Sequence, residues 1–351
     1  MLTANKYKLL LDQQRIDAFL VTLPANITYL TGYTSRDSWL LLLKSRGIYI
    51  TDSRYTLEAR NNLTNAFSVE QVEGLMPEAL STITKQLGIK KLGFEQKHLS
   101  VYTYKKLIDS LGAIKLSPTQ GIIEAFREIK TAQEIEKIKK ATQIAAKALK
   151  FIKNYIEPGI KEIEIAGEIE RFIRYNGAEG ASFEIIVASG PNSSYPHHKT
   201  SERKIRRNEP VLIDMGVDYL GYKSDLTRIF SSGKMDSLVR RVYDIVASAQ
   251  AIAISNIKPA ARIDKVDLAA RQYIAKNGYG GLFSHSLGHG VGLQIHESPR
   301  ISSKENRKLK KGMVFTVEPA VYIPGEFGIR IEDMVTVTQK GVEVISGTLD
   351  K

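Results

Sequence analysis

The feature that most constrains this chain is an internal repeat: its second half matches itself at an offset of about 101 residues. Ile156, Pro158, Ile173, Asn176 and Gly177 recur as Ile257, Pro259, Ile274, Asn277 and Gly278, while Ile165 and Phe172 are answered by Val266 and Tyr273. Each copy predicts a helix with the same apolar face, ended by an Asn-Gly cap. After each helix come a glycine-containing segment (Val187-Ala-Ser-Gly190; Leu287-Gly-His-Gly290), a histidine (His197; His296), a basic stretch, and a strand ending in an acid. Those strands are Val211 to Asp214 and Phe315 to Glu318. Polar positions match as well as apolar ones, which predicts two related α+β units.

Ahead of the repeat, apolar runs and helical stretches alternate, the pattern of an α/β domain. Asp17 to Leu23, Trp39 to Leu43 and Gly47 to Thr51 predict strands, and Ser53 to Asn62 and Met76 to Leu87 predict helices. Met1 to Leu20 reads as an amphipathic helix without the apolar core of a signal peptide. Ser117-Pro118 followed by Gly121 marks a boundary, and Thr131-Ala-Gln-Glu134 has the form of a capping box that opens a long helix. Its apolar spacing (Ile135, Ile138, Ala145, Leu149, Ile152) runs on until Pro158-Gly159. With 351 residues the expectation is two domains, 1–122 and 123–351.

Composition removes several function classes. The chain has no cysteine, which excludes disulfides, thiolate nucleophiles and Cys-ligated metals and fits a cytoplasmic protein. No apolar run approaches the roughly 18 to 20 residues that span a bilayer, so no membrane partner is expected. The net charge of +12 is interleaved with Glu and apolar residues, no aromatic-plus-basic RNA motif or finger spacing accompanies it, and no nucleic acid is expected.

The chemistry-bearing residues concentrate in the repeat. Of six histidines, only His98 lies in the first part; His197, His198, His285, His289 and His296 fall within a hundred residues. Val211 to Phe230 has a hairpin pattern, and in a register centred between Tyr219 and Leu220 it sets Asp214 opposite Asp225. Phe315 to Val335, centred on Gly325, likewise sets Glu318 opposite Glu332. Facing carboxylates have Cβ atoms about 4.5 to 5.5 Å apart and repel unless a positive charge or a proton lies between them. The alternative is ion pairing with Lys223, Arg228 or Arg330. Four acids brought together by duplication, with His289 on a glycine-rich turn, favour a metal site. Its oxygen-rich donor set suits Mn²⁺, Co²⁺, Fe²⁺ or Zn²⁺, and two divalent ions would offset the acids and give a water nucleophile near neutral pH.

The motifs His285-x-x-x-His289-Gly-x-Gly, His296-Glu297-x-Pro299, Glu318-Pro319, Arg330-Ile-Glu332-Asp333, Asp214-x-Gly216 and Ser224-Asp225-x-Thr227-Arg228 closely resemble those of the proline-directed metallopeptidases. That family comprises Xaa-Pro aminopeptidases and Xaa-Pro dipeptidases (prolidases), which share a pita-bread catalytic fold. Asn26 to Tyr33 and Thr51 to Tyr55 resemble the creatinase-type N-terminal domain, and Arg127 to Lys130 resembles the segment leading into the catalytic domain. The resemblance implies an α/β creatinase-type domain followed by an α+β pita-bread domain with an internal pseudo-two-fold. It also implies Asp214, Asp225, His289, Glu318 and Glu332 as ligands of two divalent ions, manganese first and cobalt, zinc or iron as substitutes. His197, His285 and His296 would line the substrate pocket and act on the substrate. Asn208-Glu209-Pro210 departs from the Gly-Asp usual there, and His198 duplicates the neighbour of His197, which leaves open which imidazole faces the pocket.

The expected activity is hydrolysis of the bond between an N-terminal residue and a following proline, by an Xaa-Pro aminopeptidase working as a homodimer. Glu318 is the expected proton shuttle to the departing nitrogen. A dipeptidase is the alternative, in which Arg300 or Arg330 would bind the product proline's carboxylate. A non-catalytic binding relative of the fold is a third reading, disfavoured because all five ligand positions are filled.

Overall fold

The structure, a computed structural model, describes residues 4–347; Met1 to Thr3 of the expected first helix and residues 348–351 at the other end lie outside the described residues. The chain divides into two compact units, one ending at Phe126 and the other starting at Arg127.

The first unit runs α1 (Ala4–Gln14), β1 (Ala18–Val21), α2 (Pro24–Thr31), β2 (Ser38–Leu42), β3 (Gly47–Asp52), α3 (Ser53–Asn62), β4 (Phe67–Val72), α4 (Met76–Gln86), β5 (Lys91–Glu95), α5 (Val101–Leu111), β6 (Lys115–Thr119) and α6 (Ile122–Arg127). Its six strands form one mixed sheet in the order β4-β3-β2-β1-β5-β6. The sheet is covered on both faces, so β1 is buried along its whole length. Phe19 and Val21 pack with Leu10 and Leu11 of α1 and Leu30 of α2. The alternate residues Ala18 and Leu20 pack with Leu80 of α4 and Leu107 of α5. Ser117-Pro118 lies inside β6, an edge strand, which is where a sheet tolerates a residue without an N–H.

The second unit begins with α7 (Ala132–Ile152), opened by the expected capping box: Glu134 N–H donates to Thr131 Oγ1 and Thr131 N–H to Glu134 Oε2. Then follow α8 (Glu162–Tyr175), β7 (Gly180–Ala181), β8 (Ile186–Ser189), β9 (Pro210–Met215), β10 (Val217–Tyr219), β11 (Tyr222–Lys223), β12 (Leu226–Ser231), α9 (Ser237–Ser255) and α10 (Ile263–Lys276). The unit closes with β13 (Gly288–Gly290), β14 (Glu297–Ile301), β15 (Val314–Val317), β16 (Ala320–Ile323), β17 (Phe327–Arg330), β18 (Asp333–Val337) and β19 (Val342–Val344). The repeat is structural: α8 and α10 have the same length, end at Asn176 and Asn277, and are followed by Gly177 (φ 87°) and Gly278 (φ 91°). Behind each helix stands an antiparallel sheet, β12-β9-β8 in the first copy and β14-β13-β15-β18-β19 in the second. The apolar faces of α9 (Val242, Val246, Ala249) and α10 (Val266, Ala270, Ile274) close over Phe315, Val317 and Val335 to make the largest core cluster.

Two expectations need correction. The first hairpin turns at Leu220-Gly221 (φ 51° and 80°), one residue past the expected centre, because a two-residue turn of this kind needs both central residues in the positive-φ region and glycine takes the second place without cost. Asp214 therefore pairs with Thr227, and Asp225 does not face it. Secondly, Gly288-His289-Gly290 is a strand and not a turn. Its glycines are required by close packing: a Cβ on Gly288 would lie 2.0 Å from Thr316 O, and one on Gly290 2.3 Å from Ser298 O. The second hairpin has the expected register: Val317 pairs with Asp333 and Ala320 with Arg330, so Glu318 and Glu332 stand opposite one another between the two ladders. No helix among the described residues is long and apolar enough to cross a membrane.

Candidate active site

The four acids reach one place from the matching hairpins of the two copies. Asp214 sits near the end of β9, Asp225 immediately before β12, and Glu318 and Glu332 beside β15 and β18. Between the first two, Gly216 lets the strands close: a Cβ there would lie 1.9 Å from Ser224 O. His289, in the middle of β13, presents Nε2 3.5 Å from Asp225 Oδ2 and 3.4 Å from Glu318 Oε1. Its Nδ1 lies 3.2 Å from Gly290 O, which only accepts, so the proton resides on Nδ1 and the Nε2 lone pair is turned to the acids.

Burial and mutual repulsion govern the charges. Burial first, then Glu332, Asp214 and Glu318, hold the Asp225 carboxyl well above the usual carboxylate range. Burial, with Glu318 and Asp214, does the same to Glu332, and burial with Asp214 pushes Glu318 up to about 7 against the pull of Arg330. His289 is pushed down to about 4 by burial and by His296, so its ring is neutral at pH 7.

Arg330 is the cation of this cluster, and it is buried. Its Nη2 donates to Asp214 Oδ2 (2.6 Å), Nη1 to Tyr322 Oη (2.7 Å) and Pro196 O (3.2 Å), and Nε to Thr227 Oγ1 (3.1 Å). Those contacts take up four of the five N–H groups of Arg330, one of the two arginines expected to bind the proline carboxylate. Lys223 and Arg228, the other candidate partners, are ion-paired with Asp218 and Asp333.

The remaining histidines separate by role. His285 Nδ1 donates to Ser286 O (2.8 Å), leaving Nε2 to accept from Tyr322 Oη (3.2 Å), and burial pushes the ring down to about 4. His296 lies with its ring 4.1 Å from that of His289, centroid to centroid, and is lowered by burial and by His197. His197 is exposed and its field reaches both His285 and His296. His198 points elsewhere: its Nε2 is 2.9 Å from Oε2 of the fully buried Glu162.

The residues present fit a divalent metal. Asp225, His289 and Glu332 offer ligand atoms within 4.8 Å of one another. Asp214 Oδ1 is buried without a hydrogen-bond partner, the condition of an acceptor awaiting a cation. Glu318 adjoins His289, whereas Asp214 is drawn to Arg330 on its other oxygen.

Sequence reasoning missed the residues that aim these groups. Thr227 Oγ1 donates to Glu332 Oε2 (2.7 Å), and Thr316 Oγ1 accepts from His289 N–H (3.1 Å) and donates to Glu318 Oε1 (3.0 Å). Their alternation with the acids along the strands was the available signal. Arg127 and Lys130 both pair with Glu297, Lys130 at 2.7 Å, and so anchor the segment that follows His296.

Comparisons with known proteins agree with this geometry. Residues 136–339 match metallopeptidase family M24, and residues 5–129 match the creatinase/prolidase N-terminal domain. Among solved structures, an Xaa-Pro dipeptidase from Bacillus anthracis has 38% identity and a TM-score of 0.94, covering 99% of each chain. A prolidase from Pyrococcus horikoshii OT3 has 34% identity and a TM-score of 0.92 over 98% of this chain and 97% of that one. An X-Pro aminopeptidase from Thermotoga maritima MSB8 has 36% identity and a TM-score of 0.88 over 95% of this chain and 96% of that one.

Proposed function

The chain belongs to metallopeptidase family M24, a metallo-exopeptidase with a creatinase-type domain ahead of a pita-bread catalytic domain, and from that premise we propose that it is an Xaa-Pro dipeptidase. This replaces the aminopeptidase reading favoured by sequence motifs alone. The dipeptidase from Bacillus anthracis and the prolidase from Pyrococcus horikoshii support it. The X-Pro aminopeptidase from Thermotoga maritima keeps the other reading open to test.

The observation that carries the proposal is the set of four acids and a neutral imidazole gathered around one buried guanidinium. Asp214, Asp225, His289, Glu318 and Glu332 would hold two divalent ions, since one guanidinium leaves most of the four carboxylates' charge unbalanced. Manganese suits so oxygen-rich a donor set. Bound metal supplies carbonyl polarisation and an activated water.

The chain's own groups do the rest. Glu318, beside His289 and the other acids, would take up a proton from the attacking water and pass it to the departing proline nitrogen. His285, His296 and His197 surround the substrate and stabilise charge that develops on the scissile oxygen. Arg300 is directly opposite His289 across the β13–β14 pair, is exposed, and its side chain makes no hydrogen bond or ion pair among the described residues. It is better placed than the engaged Arg330 to take the proline carboxylate in a two-pronged contact. The resemblance to this family also supports a homodimer, which sedimentation at several concentrations tests.

The direct test is chelation. Stripped protein should lose hydrolysis of an Xaa-Pro dipeptide and regain it with Mn²⁺ or Co²⁺, and full activity in a preparation shown to be metal-free would defeat the reading.

A further inference from the structure

We propose that Asp267 and Arg271, one turn apart on α10, are positioning residues for His285. The proposal rests on the reading of His285 as a substrate-facing group. The Asp267 carboxylate is fully buried, and it accepts from Arg271 through both oxygens, Nε to Oδ2 at 2.8 Å and Nη2 to Oδ1 at 3.0 Å. The same Oδ1 accepts from Leu287 N–H at 3.0 Å. Arg271 in turn donates from Nη1 to Phe283 O (2.9 Å) and from Nη2 to His285 O (2.8 Å), with its guanidinium 4.2 Å from the Phe283 ring centroid.

Three alternate residues of one segment, Phe283, His285 and Leu287, are thus gripped from the helix side by a single bidentate pair. The consequences run into the site. The Phe283 ring stands edge-on to the His285 ring at 5.1 Å, Tyr322 meets His285 Nε2 from the other side, and Leu287 O accepts from Glu318 N–H at 2.8 Å. A backbone held at both carbonyls and one amide fixes where the imidazole can sit.

The first copy of the repeat does the same task with different residues. Ala166 and Glu170 occupy the positions that match Asp267 and Arg271, and neither reproduces the pair. Glu162 on α8 instead collects Ser189 N–H (2.8 Å), Ser201 N–H (3.2 Å) and the His198 ring, tying down the chain on either side of His197. An acid on the repeated helix holds the histidine-bearing segment in each half.

The test is a double-mutant cycle in the metal-loaded full chain with Ala-Pro as substrate, using Arg271→Ala, His285→Ala and the double variant, with thermal midpoint and metal content measured for each. Arg271→Ala should lower kcat by about 10- to 100-fold at unchanged metal content, since a misplacement near 1 Å costs about that much. Arg271→Lys should recover part of the loss. The double variant should match His285→Ala within about twofold, because groups that act as a unit are not additive. Should Arg271→Ala fail to fold, Arg271→Gln, which keeps an amide donor toward His285 O, takes its place in the cycle. Near-normal kcat in a folded Arg271 variant, or the same fold-loss with and without His285, would overturn the proposal. Wild-type kcat in His285→Ala would instead overturn the substrate role of His285 and the positioning role with it.

Discussion

Asp214 on β9 faces Thr227 on β12, and Thr227 Oγ1 lies 2.7 Å from Glu332 Oε2 and 3.1 Å from Arg330 Nε. A single hydroxyl donates to one acid and accepts from the cation that holds another. It links the two copies of the repeat at the point where their acids converge.

Thr227→Val keeps the shape of the side chain and removes the hydroxyl. Partners that orient ligands typically cost about 10- to 100-fold in metal affinity when lost. The variant should therefore show weaker Mn²⁺ binding by titration while its fold, followed by circular dichroism, stays unchanged. Wild-type affinity would mean that Thr227 does not orient Glu332.

What the sequence made legible follows the range of each interaction. The helices α8 and α10, their Asn-Gly caps and the capping box at Thr131 are local patterns, and they appear where the residues put them. The register around Gly325 was readable because one glycine marks the turn, whereas the centre expected between Tyr219 and Leu220 lies one residue further on, where Leu220 and Gly221 both take positive φ. The strand at His289 looked like a turn because its glycines are explained by neighbours distant in sequence, Thr316 and Ser298. His198 was indistinguishable from His197 until Glu162 claimed it, and Thr227, Thr316 and Arg271 act through tertiary contacts that no spacing announces.

Arg330→Met tests the buried cation. Removing one partner of a buried ion pair costs about 3 to 5 kcal/mol, because the other charge is left uncompensated. Metal-stripped Arg330→Met should have a markedly lower thermal midpoint than stripped wild type, and Mn²⁺ should restore more stability to the variant than to the wild type. Equal midpoints in the stripped proteins would contradict the electrostatic account.

The pH dependence of stability has a defined sign. Glu318 moves from an ordinary 4.5 to about 7 in the fold, and Asp225 and Glu332 move the same way, so the stripped folded state holds protons that the unfolded chain has lost. The resulting stabilisation is present at low pH and disappears as pH rises through the folded values. His285 and His289, lowered from 6.5 to about 4, work in the opposite sense below about 6.5. The clean window is above that: stripped protein should lose stability as pH rises from about 6.5 through about 7, where Glu318 gives up its proton in the fold. Metal-loaded protein should not show this fall, since ligand deprotonation accompanies metal binding. Thermal midpoints of both forms across the window check it; a rising midpoint in the stripped form would contradict the assignment.

His289 and His296 touch, with ring centroids 4.1 Å apart, yet only His289 turns a nitrogen to the acids. His289→Ala should lose metal and activity together. His296→Ala should keep its metal and lose about 10²- to 10³-fold in kcat if it stabilises the developing oxyanion. Metal stoichiometry beside kcat for both variants checks the division, and metal loss in His296→Ala would reverse the two roles.

The central claim is that this metallopeptidase is built for a proline that carries a free carboxylate. Its most direct test compares kcat/KM for Ala-Pro and Ala-Pro-Ala in the Mn²⁺-loaded protein, wild type and Arg300→Ala. Wild type should favour the dipeptide by at least about tenfold, and Arg300→Ala should raise KM for the dipeptide by about tenfold or more, the loss of a charge-assisted bidentate contact being of that order. Faster cleavage of the tripeptide, with Arg300→Ala leaving the dipeptide KM unchanged, would contradict the dipeptidase account and return the protein to the Xaa-Pro aminopeptidases.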